Sequence, residues 1–124
     1  MPILDVEIVL CPDEALAPGL AAEIADRGGE VFGSPPGSTW VKLRAIPCAH
    51  YAENGGGPPD GVYPVFVSVL KAGLPAPDAL RAEVARLTAA IAEATGRPAE
   101  NVHIIYLPAG AGRVAFGGEL VPAK

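Results

Sequence analysis

At 124 residues, half of them hydrophobic, the chain is sized for one domain with a packed core. A net charge of -5, with no basic run and no basic-aromatic patch, argues against nucleic acid and anionic membrane as partners. No apolar stretch reaches the roughly 18 residues that a membrane-spanning helix requires.

The N-terminus has no basic region ahead of an apolar run, so a signal peptide is not expected. The two cysteines, Cys11 and Cys48, do not make a disulfide framework. Both points lead to the expectation of a reduced, cytoplasmic setting. Small buried hydrophobes are the expected role of the two thiols.

Residues 3–10, ILDVEIVL, alternate: Ile3, Asp5 and Glu7 on one face, Leu4, Val6 and Ile8 on the other, which predicts a strand. Cys11-Pro12-Asp13 breaks it, and Asp13 is the candidate cap of a helix within 14–32, where Leu16, Leu20 and Ile24 recur at helical spacing. After the loop GSPPGS (33–38), TWVKLRAI (39–46) predicts a second strand ended by Pro47. Trp40, Lys42 and Arg44 share one of its faces. Residues 48–63 form a linker without apolar periodicity, and His50 and Tyr51 at its start read as loop.

The pattern then restarts. VFVSVLK (65–71) is nearly all apolar, as a central strand would be. Residues 78–95 predict a helix with Asp78 as N-cap, an apolar stripe of Leu80, Val84, Leu87 and Ile91, and Arg81, Glu83, Arg86 and Glu93 outside the stripe. Gly96 supplies the C-cap and Pro98 stops continuation. NVHIIYL (101–107) predicts a fourth strand, on which Tyr106 reads as core, and a turn-rich tail follows over 109–124.

Two copies of one unit are therefore expected in a single domain, at about 2–47 and 64–108, with Pro2 matching Pro64 and Pro47 matching Pro108. Each strand-helix-strand unit makes a right-handed crossover with parallel strands. Side by side they give an α+β domain: a four-stranded mixed sheet with both helices on one face. The other face would be apolar and bare, which predicts burial against further copies of the chain.

Pro2 follows Met1 directly, and initiator methionine is commonly removed before so small a residue. Removal would leave a secondary amine at the head of the first strand. An α-amine has an ordinary pKa of roughly 8. Apolar surroundings and neighbouring cations would lower it towards the range where a general base works best.

The free proline and the repeat, with NVHIIYLPAGAGRVAFGGEL (101–120), resemble the tautomerase superfamily. Its members are built from β-α-β units that begin with proline after methionine removal. The tail ending Gly117-Gly118-Glu119-Leu120 is similar to the matching stretch of the 4-oxalocrotonate tautomerase branch. The linker and YPVFVSVLKAG (63–73) are most similar in layout to the 5-carboxymethyl-2-hydroxymuconate isomerase branch.

The resemblance implies a homotrimer acting without metal or organic cofactor on a small carboxylated enol or 2-hydroxydienoate. Pro2 would be the base. Lys42, with Arg44 beside it, and His103 fall where the family carries a catalytic arginine, and would hold the carboxylate or the enolate oxygen. Lys71 matches the first of two arginines in dehalogenase relatives, the second being Leu74 here. Arg113, in a tail that folds over the site in relatives, could replace that charge.

For Lys42 and Arg44 the competing reading is ion pairing with Asp5 and Glu7; for His103, a core or interface role; for Arg113, an exposed loop residue. Two further functions stay open. One is hydratase, dehalogenase or decarboxylase chemistry. It is disfavoured by the absence of any Asp or Glu between Glu30 and Glu53 and by Ala115 in the tail. The other is a non-catalytic trimeric binding protein on the same scaffold.

Overall fold

The computed structural model describes residues 2–123. Met1 and Lys124 lie outside the described residues, and the expected removal of Met1 lies there with them. The strands are β1 (Ile3–Val9), β2 (Trp40–Ile46), β3 (Val65–Leu70) and β4 (Val102–Tyr106), with a short hairpin, β5 (Ala115–Phe116) and β6 (Glu119–Leu120), in the tail. The helices are α1 (Leu20–Phe32) and α2 (Pro77–Thr95).

The main sheet runs β2-β1-β3-β4. Strands are parallel within each unit, as a helical crossover demands, and antiparallel where β1 meets β3. Ile3 stands opposite Leu70 and Ile8 opposite Val65, so the two units face each other about a local pseudo-twofold. One step beyond the strand end, the Val9 amide donates to the Pro64 carbonyl at 3.0 Å.

Leu4, Val6 and Ile8 of β1 and Val65, Val67 and Val69 of β3 are buried beneath the helices, with Ile24 of α1 and Leu87 and Ile91 of α2. Gly28 lets α1 lie close to the sheet, since a Cβ there would stand 3.2 Å from Leu4 Cδ1.

The helix starts differ from expectation. Asp13 does not cap α1; it sits in a turn at φ 63, and α1 begins at Leu20 after Gly19 at φ 85. The physical reason is Pro18, which disfavours helical geometry in the residue before it. Pro77 occupies the first turn of α2, where its missing amide costs nothing, so the N-cap is Ala76 and Asp78 lies within that turn. The buried line of α2 is Glu83, Leu87 and Ile91, so Glu83 lies inside the apolar layer rather than outside it.

A partly buried arginine ties the far end of the sheet together. Arg97, which follows α2, makes two bonds to the Glu14 carboxylate at 2.8 and 3.1 Å and also donates to the carbonyls of Val9 and Tyr63. Hydrogen bonds from Arg97 hold the Glu14 carboxyl down at about 2, below its ordinary 4.5. Replacing Arg97 by Met should lower unfolding stability by roughly 2–3 kcal/mol in urea titrations, since it strands three partners. Because Glu14 titrates lower in the folded state than in the unfolded chain, its contribution is complete above pH 4.5 and fades as pH falls towards 2. The Arg97→Met penalty should shrink over that same window.

Candidate active site

Pro2 is buried at the head of β1, in phase with Leu4 and Val6, and its carbonyl accepts the Trp40 amide at 3.0 Å. Continuing the β1–β3 register one step past Ile3–Leu70 sets Lys71 directly across from Pro2. Residues opposite each other in an antiparallel pair share a face, with Cβ atoms about 4.5–5.5 Å apart. Lys71 is thus the cation that the sheet places beside Pro2, on the side facing the helices.

Lys71 is not free to clamp a ligand. Its ammonium donates to Glu83 Oε1 at 2.9 Å, and the Tyr106 hydroxyl donates to Glu83 Oε2 at 2.6 Å. The Lys71 and Glu83 side chains are only 17% and 9% exposed, and the ammonium lies 5.0 Å from the centre of the Phe32 ring. Burial, and then the bond to Glu83, push the Tyr106 phenol well above its ordinary value, so it remains a neutral donor.

The tail closes over this end of the sheet. Gly110 donates to the Lys71 carbonyl at 2.8 Å and Ala111 to the Ala72 carbonyl at 3.0 Å. The approach requires glycine, because a Cβ on Gly110 would come within 2.9 Å of Val114 Cγ2. Arg113 is exposed and donates to the carbonyls of Pro108 and Ala109. The Phe116 ring meets Trp40 edge-on at 5.3 Å, and the two flank a hollow with Gly37 and Ser38.

Lys42, Arg44 and His103 lie on the opposite, open face. Lys42 is 3.2 Å from Asp5 Oδ1, and Arg44 is 3.7 Å from the same oxygen and 3.5 Å from Glu7. The parallel register creates these pairs by setting Asp5 beside Lys42 and Glu7 beside Arg44. Asp5 Oδ1 is out of water yet accepts no aligned hydrogen bond, so the two cations reach it as ion-pair contacts only. The His103 ring is exposed beside Phe66 at 5.5 Å, and Tyr51 packs on Phe66 at 5.7 Å.

His103, Phe66, Glu7 and Arg44 form one row across the sheet. That row is five residues along β1 from Pro2, which at roughly 3.3 Å per residue is about 17 Å. A single chain therefore gathers Pro2, Lys71 and the Arg113 tail at one end. It does not bring Arg44 or His103 to Pro2.

The open face is correspondingly not the bare apolar surface expected. Its β1–β2 half carries Asp5, Glu7, Lys42 and Arg44, while the other half exposes Phe66, Leu70 and Ile105 beside Ser68 and His103. Cys48 is exposed rather than buried, and Cys11 is half-buried. Among the described residues, no group of three or more His, Cys, Asp or Glu side chains is placed to hold a metal ion. Tyr106 packs against the core as expected, but the sequence did not place it or Glu83 with Lys71. The available signal was Glu83 standing four residues before Leu87 and eight before Ile91, on the line that points inward.

Neither a protein-family model nor a curated protein matches the sequence. Solved structures do. A crystal structure of native fused 4-OT aligns at a TM-score of 0.73 and 22% identity, covering 96% of this chain and 95% of that one. The fold is that of the tautomerase superfamily. Macrophage migration inhibitory factor from Oncomelania hupensis aligns at 0.73 and 21% identity over 98% of this chain and 82% of that one. The FG41 malonate semialdehyde decarboxylase, inhibited by 3-bromopropiolate, aligns at 0.66 and 17% identity over 93% and 90%. The tautomerase fold thus hosts more than one named activity among these neighbours.

Removing the Lys71 charge with Met leaves the Glu83 carboxylate buried without its cation, which should cost about 3 kcal/mol in denaturant unfolding. Lys42→Met, at an exposed pair, should cost under about 1 kcal/mol in the same measurement.

Proposed function

We propose that the protein is a cofactor-independent tautomerase or isomerase whose amino-terminal Pro2 moves a proton between carbons of a small carboxylated enol or 2-hydroxydienoate. The observation that carries this reading is the placement of Pro2: buried at the head of a strand, with Lys71 across from it and the Arg113 tail folded over the same end. A secondary amine in apolar surroundings beside a cation is a base suited to neutral pH. The substrate resembles 5-carboxymethyl-2-hydroxymuconate in class, since the resemblance of the linker and third strand runs to that branch. Proton transfer between two carbons of one molecule requires a base and charge stabilisation, and no redox or group-transfer cofactor.

The working unit is a homotrimer, as a fused 4-OT of the same fold, aligned at a TM-score of 0.75, is a symmetric trimer. In such an assembly the open faces are enclosed by neighbouring copies. Lys42, Arg44 and His103 then serve a neighbour's Pro2, holding the substrate carboxylate or the developing enolate oxygen, while Arg113 binds the carboxylate from the tail. The cytoplasm is the matching compartment.

Water-adding or decarboxylating chemistry is the alternative, and a decarboxylase neighbour shares the fold. Water activation requires an accessible carboxylate, and Glu83, the one beside Lys71, is buried and already accepts bonds from Lys71 and Tyr106.

Intact mass should show loss of one methionine, and light scattering should give a particle three times the 12.6 kDa chain. Ketonisation of phenylenolpyruvate or 2-hydroxymuconate should proceed, and Pro2→Ala should reduce it roughly a hundredfold or more. Undiminished turnover in Pro2→Ala sinks the proposal. Carbon dioxide or halide release without ketonisation supports the alternative.

A further inference from the structure

The buried trio of Lys71, Glu83 and Tyr106 lies in a layer that is otherwise apolar. Burying an ion pair is costly, and hydrophobic residues of the same volume would often serve stability as well or better. Its position is specific: β3 carries Lys71 to the place across from Pro2, α2 brings Glu83 onto Lys71, and β4 brings Tyr106 onto Glu83.

We propose that this trio sets the protonation of the amine at Pro2, with Lys71 favouring the neutral, basic form and Glu83 limiting that effect. The inference rests on the reading of Pro2 as a free amino-terminal base. Each Glu83 oxygen already accepts a bond, one from Tyr106 and the other from Lys71. Lys71 stands across from Pro2 on the adjoining strand, whereas Glu83 reaches the pair from α2. Lys71, in turn, is kept inside the helix layer by Glu83 and the Phe32 ring instead of extending into water.

Within one chain Arg86 and Arg113 are the other cations near this end, and in the proposed trimer a neighbour's Lys42, Arg44 and His103 also face the amine, in wild type and variants alike. Arg86 of α2 donates to the Val31 carbonyl at 3.3 Å, and Arg113 of the tail is bound to the Pro108 and Ala109 carbonyls. Asp5 with Lys42 and Arg44 lies on the opposite sheet face, and α1 presents Phe32. Tyr106 stays neutral, so it contributes geometry and no change of charge.

A direct test needs no substrate. Methionine-free protein carrying 15N-labelled proline is titrated by NMR, and the Pro2 nitrogen is followed against pH. Lys71→Met should raise its midpoint by about one pH unit, as expected for losing one nearby charge in a partly screened site. Glu83→Gln, which keeps the shape and an acceptor oxygen, should lower the midpoint by a comparable amount. Lys71→Arg keeps the charge and should leave the midpoint within about 0.3 units of wild type.

Opposite shifts in Lys71→Met and Glu83→Gln support the proposal, since a merely structural trio would not move the two variants apart. No shift in either, or shifts in the same direction, overturns it. If Lys71→Met does not fold, as circular dichroism would show, Glu83→Gln and Lys71→Arg decide the matter by the same criteria. Turnover by Pro2→Ala is measured alongside. Retained activity there removes the proline base, and the titrations then stand only as electrostatics of an amine without a catalytic task.

Discussion

The antiparallel junction of β1 and β3 governs the rest of the structure. Each β-α-β unit alone would have a two-stranded sheet and one helix, too little to bury its own apolar surface. Joined along β1 and β3, the two units bury one continuous row of Leu4, Val6, Ile8, Val65, Val67 and Val69 beneath both helices. The register of that junction also decides which residue meets Pro2. A slip of one residue would turn every side chain of a strand to the other face and remove Lys71 from the proline.

The two faces of the sheet are treated differently. Towards the helices the packing is apolar except at one end, where a carboxylate, an ammonium and a phenol satisfy one another and are shielded from water. Towards the open side, charge is paired across β1 and β2 while Phe66, Ile105 and Leu70 remain to be covered. Exposed ion pairs such as Lys42–Asp5 contribute little to stability. Their cations stay at the surface, whereas the Lys71–Glu83 pair is largely shielded from water.

The two ends of the sheet also differ. At one end, Arg97 anchors Glu14 and two backbone carbonyls, tying the strand termini together. At the other, Pro2, Trp40, Lys71 and the 109–123 tail converge on short backbone contacts and glycine-dependent turns. One end is thus tied by Arg97, and the other gathers Pro2, Lys71 and the tail.

The sequence by itself determined the unit and its repetition. Period-two alternation in residues 3–10, the apolar run at 65–71 and the punctuation by Pro47, Gly96, Pro98 and Pro108 leave one consistent reading of two β-α-β copies. These signals are local, so a single chain displays them. Proline at position 2 and the 101–120 stretch likewise pointed to the tautomerase fold without any contact being known. The tertiary structure alone decided what each polar side chain does. Lys42 and Arg44 meet Asp5 and Glu7 because strands distant in sequence adopt one register. Glu83 turns inward because Lys71 and Tyr106, 12 and 23 residues away, arrive to satisfy it. Helical periodicity marks which residues lie on the inner line of α2, but a buried carboxylate is tolerable only once its partners are in place. That pairing is a long-range fact that no local pattern encodes.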